Sequence, residues 1–191
     1  MKIEIPHDAK KIGVLCSGGV DSTLLLYLLV KQNFENIMVF TFFQKRDKKY
    51  KILENIVNTI NEKFSIHCLN NNFFIRIGVQ NIIDVIGCDY VYTGCNKVIW
   101  DENEFVPTIH IPNDTPPVRG DPLNEKHLRP FINMDKIEIV KLYIEHNIID
   151  LLQSTRSCGY PNGYVNPCGG CYFCTERKWA LTKLGLEDIY K

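Results

Sequence analysis

Two stretches of the chain combine residue types and spacings that can do chemistry. The first is the run Cys158 to Cys174, SCGYPNGYVNPCGGCYFC when quoted with Ser157. It holds Cys158, Cys168, Cys171 and Cys174; the last three are spaced C-x2-C-x2-C, and nine residues separate Cys158 from Cys168. Four thiolates on short loops suit a tetrahedral zinc ion, and a full set of four cysteines leaves no open coordination position, so such a site is structural. An iron–sulfur cluster or a redox dithiol can draw on the same residues, and the spacing leaves both open. The second stretch is Ser17-Gly18-Gly19-Val20-Asp21-Ser22, directly after the apolar run Ile12 to Leu15 and its neighbour Cys16. A glycine pair lets the backbone turn tightly and approach an anion closely. The amides of that turn and of a following helix N-terminus then point at the anion, with the helix dipole behind them. Ser17 and Ser22 add hydroxyl donors. The lysine of the G-x-x-x-x-G-K-[ST] phosphate loop is absent. Asp21 beside a polyanion calls for a divalent cation; the plainer reading is that Asp21 or Ser22 only caps the helix.

Elements that position these residues follow from periodicity. Lys11 to Cys16 and Ile37 to Phe42 read as strands, and Ser22 to Gln32 as a helix apolar on most faces. Leu53, Ile56, Val57 and Ile60 place a helix over Asp47 to Lys63, and Phe73 to Gly87 repeats the pattern. Ser65 to Leu69 and Tyr90 to Gly94 complete the strands. This alternation predicts an α/β fold, a mainly parallel sheet flanked by helices with right-handed crossovers. Ligands of such sheets sit beyond the carboxyl ends of the strands, so the loops after Cys16, Phe42 and Gly94 should surround one site, with Thr41 and Phe42 among its residues. Cys95 to Phe131 reads as long, irregular and proline-rich, and a connection of that length is usually functional or disordered. A helix over Asp135 to His146 follows, with Asp135 as its cap and Asn147 as its stop. The cysteine-rich tail ends in a helix to about Leu184. The expected organisation is a nucleotide-binding domain over residues 1–157 and a zinc-binding tail over residues 158–191 packed on it.

The chain's 191 residues suit one domain, and 22 Lys and Arg balance 22 Asp and Glu. A neutral surface argues against nucleic acid as the main partner. Met1 to Lys10 lacks the apolar core of a signal peptide, and no apolar run approaches the length of a membrane span, so a cytoplasmic location is expected. Clustered cysteines in such a chain point to metal or catalysis rather than disulfides. Of the remaining cysteines, Cys68 and Cys88 read as small core residues. Cys16 and Cys95 fall near the expected ligand site, where either a catalytic thiol or a packing role is open.

The hexapeptide SGGVDS at a strand-to-helix junction resembles the pyrophosphate-binding loop of the PP-loop ATP pyrophosphatases. That resemblance implies that Ser17, Gly18, Gly19, Val20, Asp21 and Ser22 bind the terminal phosphates of ATP and their magnesium. Attack is then on the α-phosphate, releasing AMP and pyrophosphate. The loop and the cysteine cluster together resemble the 7-cyano-7-deazaguanine synthase family of queuosine biosynthesis. Arg177 after the last cysteine, Tyr92 to Asn96 (YTGCN), Asp135 to Glu138 (DKIE) and Asp150 to Cys158 (DLLQSTRSC) carry further likeness. The resemblance implies ATP, Mg2+ and Zn2+ as cofactors and catalytic roles for Asp21, Lys136 and Asn96. It implies 7-carboxy-7-deazaguanine and ammonia as co-substrates, with a homodimer possible. In place of the family's tyrosine- and aspartate-rich acceptor loop the chain has KVIWDENEFVPTIHIPNDTPPVRGD. Trp100, Asp101 and Arg119 can cover or bond a flat acceptor there; a surface loop with a packed aromatic is the alternative. Two other readings are an adenylating relative with a different acceptor and a non-catalytic zinc-containing nucleotide-binding module.

Overall fold

A computed structural model describes residues 1–41, 48–64, 78–99, 107–108, 121–160 and 166–188. Its centre is strand β1 (Ile12–Leu15), all four residues of which are buried. β1 lies between β2 (Ile37–Phe40) and β3 (Tyr90–Thr93), and a two-residue strand, β4 (His127–Leu128), extends the far edge in the order β2-β1-β3-β4. Every pairing is parallel. The register sets Leu15 opposite both Phe40 and Thr93, so three strands end level and their following loops leave from one edge. That common edge makes a ligand site from segments far apart in sequence.

Alternate strand residues face opposite layers, as the pleat requires. Ile12, Val14, Ile37 and Val39 pack into the larger core with α1 (Val20–Val30) and α2 (Lys48–Phe64). Leu15, Met38, Phe40 and Val91 pack against Ile82 and Ile83 of α3 (Val79–Asp84) on the other face. Burial on both faces accounts for continuously apolar strands. Within α1 every residue but Asp21 is buried, which is why this helix is apolar all round.

α4 (Lys136–Glu145) begins at the cap read from sequence. The Asp135 carboxylate accepts from the Glu138 amide at 2.8 Å, and the Asp135 amide donates to Glu138 Oε2 at 2.8 Å, a reciprocal capping box. Asn147 turns the chain with φ 54°, and α5 (Ile149–Ser154) follows at once. That short helix, like β4 inside the stretch read as irregular, is too brief for periodicity to reveal. The buried Tyr143 hydroxyl donates to the Val20 carbonyl at 2.6 Å and ties α4 to the first residue of α1. α6 (Tyr172–Lys183) packs on α4, so the tail belongs to the same core. Arg177 is fully buried and clasps the end of α5: it donates to Thr155 Oγ1 (2.6 Å), the Leu152 carbonyl (3.2 Å) and Asp188 (2.9 Å). β2 stops at Phe40, two residues short of the expected end. Phe42, the strand expected at Ser65 to Leu69 and most of the 97–121 loop lie outside the described residues.

Gly94 marks the closest backbone approach at the strand edge. A Cβ there would stand 2.6 Å from the Ser22 amide nitrogen and 2.8 Å from the Asp21 carbonyl carbon, both backbone atoms that cannot swing away. Gly94→Ala is expected to cost about 1–3 kcal/mol as overpacking does, read as a fall of several degrees in thermal melting. A second expectation concerns pH. Burial, aided by Arg129, holds the His127 imidazole below its ordinary range, and its Nε2 lies 2.8 Å from Thr93 Oγ1. A depressed histidine pKa means that the unfolded chain takes up the proton first, so stability falls as pH drops below about 6.5. Melting temperatures at pH 7.5 and 5.5 should therefore separate more for the parent chain than for His127→Gln.

Candidate functional site

The turn between β1 and α1 has the geometry expected of an anion cradle. Gly18 takes φ +75°, a left-handed conformation that favours glycine, and Gly19 is the helix N-cap with no side-chain cap bond. The capping alternative for Asp21 and Ser22 therefore falls. Ser22 instead braces the turn from inside: its Oγ accepts from the Ser17 amide at 3.1 Å and lies 3.1 Å from Ser17 Oγ. The amides of the first helical turn have no partner within the helix and are available to an anion. On the far side the Arg156 amide donates to the Gly18 carbonyl at 2.9 Å, joining the turn to the segment that leads into the cysteine tail.

Asp21 and Lys136, 115 positions apart, meet beside this turn. Lys136 Nζ donates to both Asp21 oxygens, at 2.5 and 2.6 Å, and lies 3.3 Å from Glu176 Oε2. Lys136 and Glu176 are almost wholly buried, and the Asp21 side chain keeps 19% of its exposure. Burial acts against the ammonium, but Asp21 and Glu176 together outweigh it and hold the lysine above its ordinary pKa. Burial also raises Glu176, opposed by Lys136 and reinforced by Asp21. Asn96 is turned towards this set: its Nδ2 donates to Glu176 Oε1 at 3.2 Å and to the Lys97 carbonyl at 3.1 Å.

A pocket of about 290 Å³ opens here. Ser17, Gly19, Val20, Asp21 and Ser22 of the turn, Thr93 to Cys95 after β3, and Lys136 and Glu176 line it. Arg156 to Gly159 and Phe173 form the remaining wall. Cys16 lies fully buried beneath the turn, its thiol 3.8 Å from Ser22 Oγ and pushed up by burial, which favours the neutral packing role over a reactive thiol. Thr41 is buried just past β2. Cys95 faces the pocket, with its sulfur 3.5 Å from Thr93 Oγ1.

The four tail cysteines converge. Their sulfurs all lie within 4.8 Å of one another, with Cys158 and Cys168 at 3.5 Å and Cys168 and Cys174 at 4.0 Å. Four sulfurs about 2.3 Å from one tetrahedral ion stand about 3.8 Å apart, so this cage fits a single metal ion. A hydrogen bond from the Cys174 thiol is the main influence holding Cys171 down to about 4, and Cys174 is raised by the same contact. A preference for thiolate at one ligand before metal arrives favours capture, since the thiolate is the ligating form.

Residues 123–185 match the family model of the queuosine biosynthesis protein QueC. The match takes in Lys136, Glu176, the Arg156 wall and all four clustered cysteines, so that part of the chain is QueC-like. Among solved structures, the U34-tRNA thiolase NcsA from Methanococcus maripaludis, described with its [4Fe-4S] cluster, is similar over 94% of this chain and 74% of its own length. The identity is 13% and the TM-score 0.44. No curated protein matches the chain. Among the described residues no helix is long and apolar enough to cross a membrane.

Of the residues expected in the turn, Ser17, Gly19, Val20, Asp21 and Ser22 line the pocket together with Lys136, while Gly18 forms the turn without lining it. Phe42, Trp100, Asp101 and Arg119 lie outside the described residues. Sequence reasoning missed Glu176, Arg156, Ser157, Gly159 and Phe173. The available signal was position alone: Glu176 comes two residues after Cys174 and next to Arg177, near the start of the helix that the cysteine cage adjoins. Cys171→Ser is expected to lose bound metal in elemental analysis and to lower the melting temperature, because metal binding contributes folding energy in such tails.

Proposed function

We propose that the chain is an ATP-using adenylating enzyme, a relative of the 7-cyano-7-deazaguanine synthases, that converts 7-carboxy-7-deazaguanine to the nitrile with ammonia. The single observation that supports this most is the Asp21–Lys136 pair set against a glycine turn at the N-terminus of α1. A helix N-terminus with unpartnered amides receives phosphate oxygens, and a buried ammonium beside it suits the charge that a departing pyrophosphate develops. The QueC-like match over residues 123–185 supports the same assignment for the Lys136 side of the pocket.

In this reading the amides after Ser17 and the hydroxyls of Ser17 and Ser22 hold the terminal phosphates of ATP. Asp21 is the carboxylate for the accompanying magnesium, which when bound neutralises the polyphosphate charge. The acceptor carboxylate attacks the α-phosphate, the bond to the bridging oxygen breaks, and pyrophosphate leaves towards Lys136. Ammonia then displaces AMP to give an amide; a second adenylation of the amide oxygen and loss of AMP give the nitrile. Orientation and charge stabilisation supply the catalysis. Asn96 acts from behind Lys136, through Glu176. The metal of the Cys158, Cys168, Cys171 and Cys174 cage is zinc on this reading, held on a tail, residues 158–191, that walls the domain formed by residues 1–157. Separations of 3.5 and 4.0 Å support it, being those of ligands on one ion, whereas a cubane cluster spreads its thiolates over four irons.

Chromatography of ATP turnover with 7-carboxy-7-deazaguanine and ammonium should show AMP and pyrophosphate. Ser17→Ala should slow it by about 10²–10³-fold, the usual effect of deleting one transition-state donor. Asp21→Ala should abolish it with the metal content of the tail unchanged. ADP as the primary product would falsify the assignment of the turn, and a product mass other than that of the nitrile would replace the acceptor chemistry alone.

A further inference from the structure

Among the described residues the pocket lining includes the Lys136 ammonium, Arg156 and two carboxylates, and the carboxylates are not equivalent. Both line the pocket, but the Asp21 side chain keeps a fifth of its exposure and Glu176 keeps 5%. Glu176 is also the better anchored of the two. Its Oε1 accepts from Asn96 Nδ2 at 3.2 Å, and the Tyr172 hydroxyl lies 3.3 Å from the same oxygen and 3.2 Å from the Ile99 carbonyl. Its Oε2 is the atom facing Lys136, at 3.3 Å. One oxygen thus fixes the carboxylate to the protein while the other holds the lysine. The backbone beneath it is fixed as well, since Cys171 caps α6 and Cys174 lies in its first turn, both in the metal cage.

We propose that Glu176 is a positioning residue that holds Lys136 at the pocket while Asp21 transfers its charge to the cation of the bound nucleotide. The proposal rests on the adenylating reading of the site. A carboxylate that takes up a divalent cation gives much of its charge to that cation and holds a lysine less strongly. With Asp21 withdrawn, a buried ammonium lacking any counter-charge would leave its place or lose its proton. Glu176 is the second counter-charge that lets Asp21 change partners without losing the lysine.

Two experiments on the full metal-loaded chain test this. In the first, Lys136 is labelled with an amine-acylating reagent and its rate followed by peptide mass spectrometry, with no nucleotide present. Asp21→Asn imitates the withdrawn carboxylate: alone it should leave Lys136 protected, and combined with Glu176→Gln it should expose Lys136 at least about tenfold faster. If Asp21→Asn alone exposes Lys136 as fully as the double variant, Glu176 holds nothing and the proposal is wrong, whatever the protein turns over. In the second, Glu176→Gln, which keeps the side chain's size, should retain the metal and the melting temperature while kcat for AMP formation falls about 10–100-fold. KM for ATP should change less than about threefold, and Glu176→Asp should recover part of the rate because it restores the charge. Equal rates for Glu176→Gln and the parent would overturn the positioning role alone. A parent chain that forms no AMP would instead overturn the adenylating reading and leave the labelling result to decide whether Glu176 holds the lysine.

Discussion

A lysine ammonium shared by two carboxylates at the edge of the sheet is the constraint on which the rest of the site depends. Lys136 comes from the start of α4, Asp21 from the start of α1 and Glu176 from the first half of α6. A buried charge is tolerated only when it is paired and its remaining valences are met. Three elements must therefore reach the same point within a few tenths of an ångström. The Asp135–Glu138 capping box fixes where α4 begins, the Tyr143 hydroxyl ties α4 to the Val20 carbonyl, and Gly94 lets β3 pass against the α1 backbone. Each of these contacts serves the placement of that charge set as much as general stability.

The cysteine tail is part of the same construction. Cys158 lines the pocket and is a cage ligand, while the Arg156 amide before it holds the Gly18 carbonyl. After the cage, Tyr172 and Glu176 reach inward from α6 and Arg177 seals the end of α5. A metal ion held by these four cysteines would order one wall of the pocket, the backbone that braces the glycine turn and the second carboxylate of the charge set. Its influence on the site would be mechanical: it would set where α6 starts, which a helix of that length could not settle by propensity alone.

The chain's signals were legible to unequal degrees. Local ones were read well: the glycine turn before an apolar helix, the Asp135 cap three residues before Glu138, the C-x2-C-x2-C spacing, and the continuously apolar strands of a sheet covered on both faces. Short elements were not. β4 has two residues and α5 six, below the window in which a period of two or 3.6 can be recognised. Asp21 reads from the sequence as a carboxylate for a divalent cation, with a helix cap as the alternative; its pairing with Lys136, 115 positions away, was not legible there. Glu176 offered nothing beyond its nearness to Cys174 and Arg177, for an isolated glutamate in a polar stretch of helix normally faces water.

By itself, the sequence determined the alternating α/β plan, the position of a glycine turn at a helix N-terminus and the four cysteines that converge, because each depends on local spacing. Tertiary structure alone decided which groups share a charge, that Asn96 faces Glu176, that Arg177 is a buried clasp, and that the tail forms a wall of the pocket. The physical reason is range. Turn conformation, capping and ligand spacing are local energies written in neighbouring residues. The pairing of buried charges is a long-range property, set only when parallel strands in register bring separate loops to one edge.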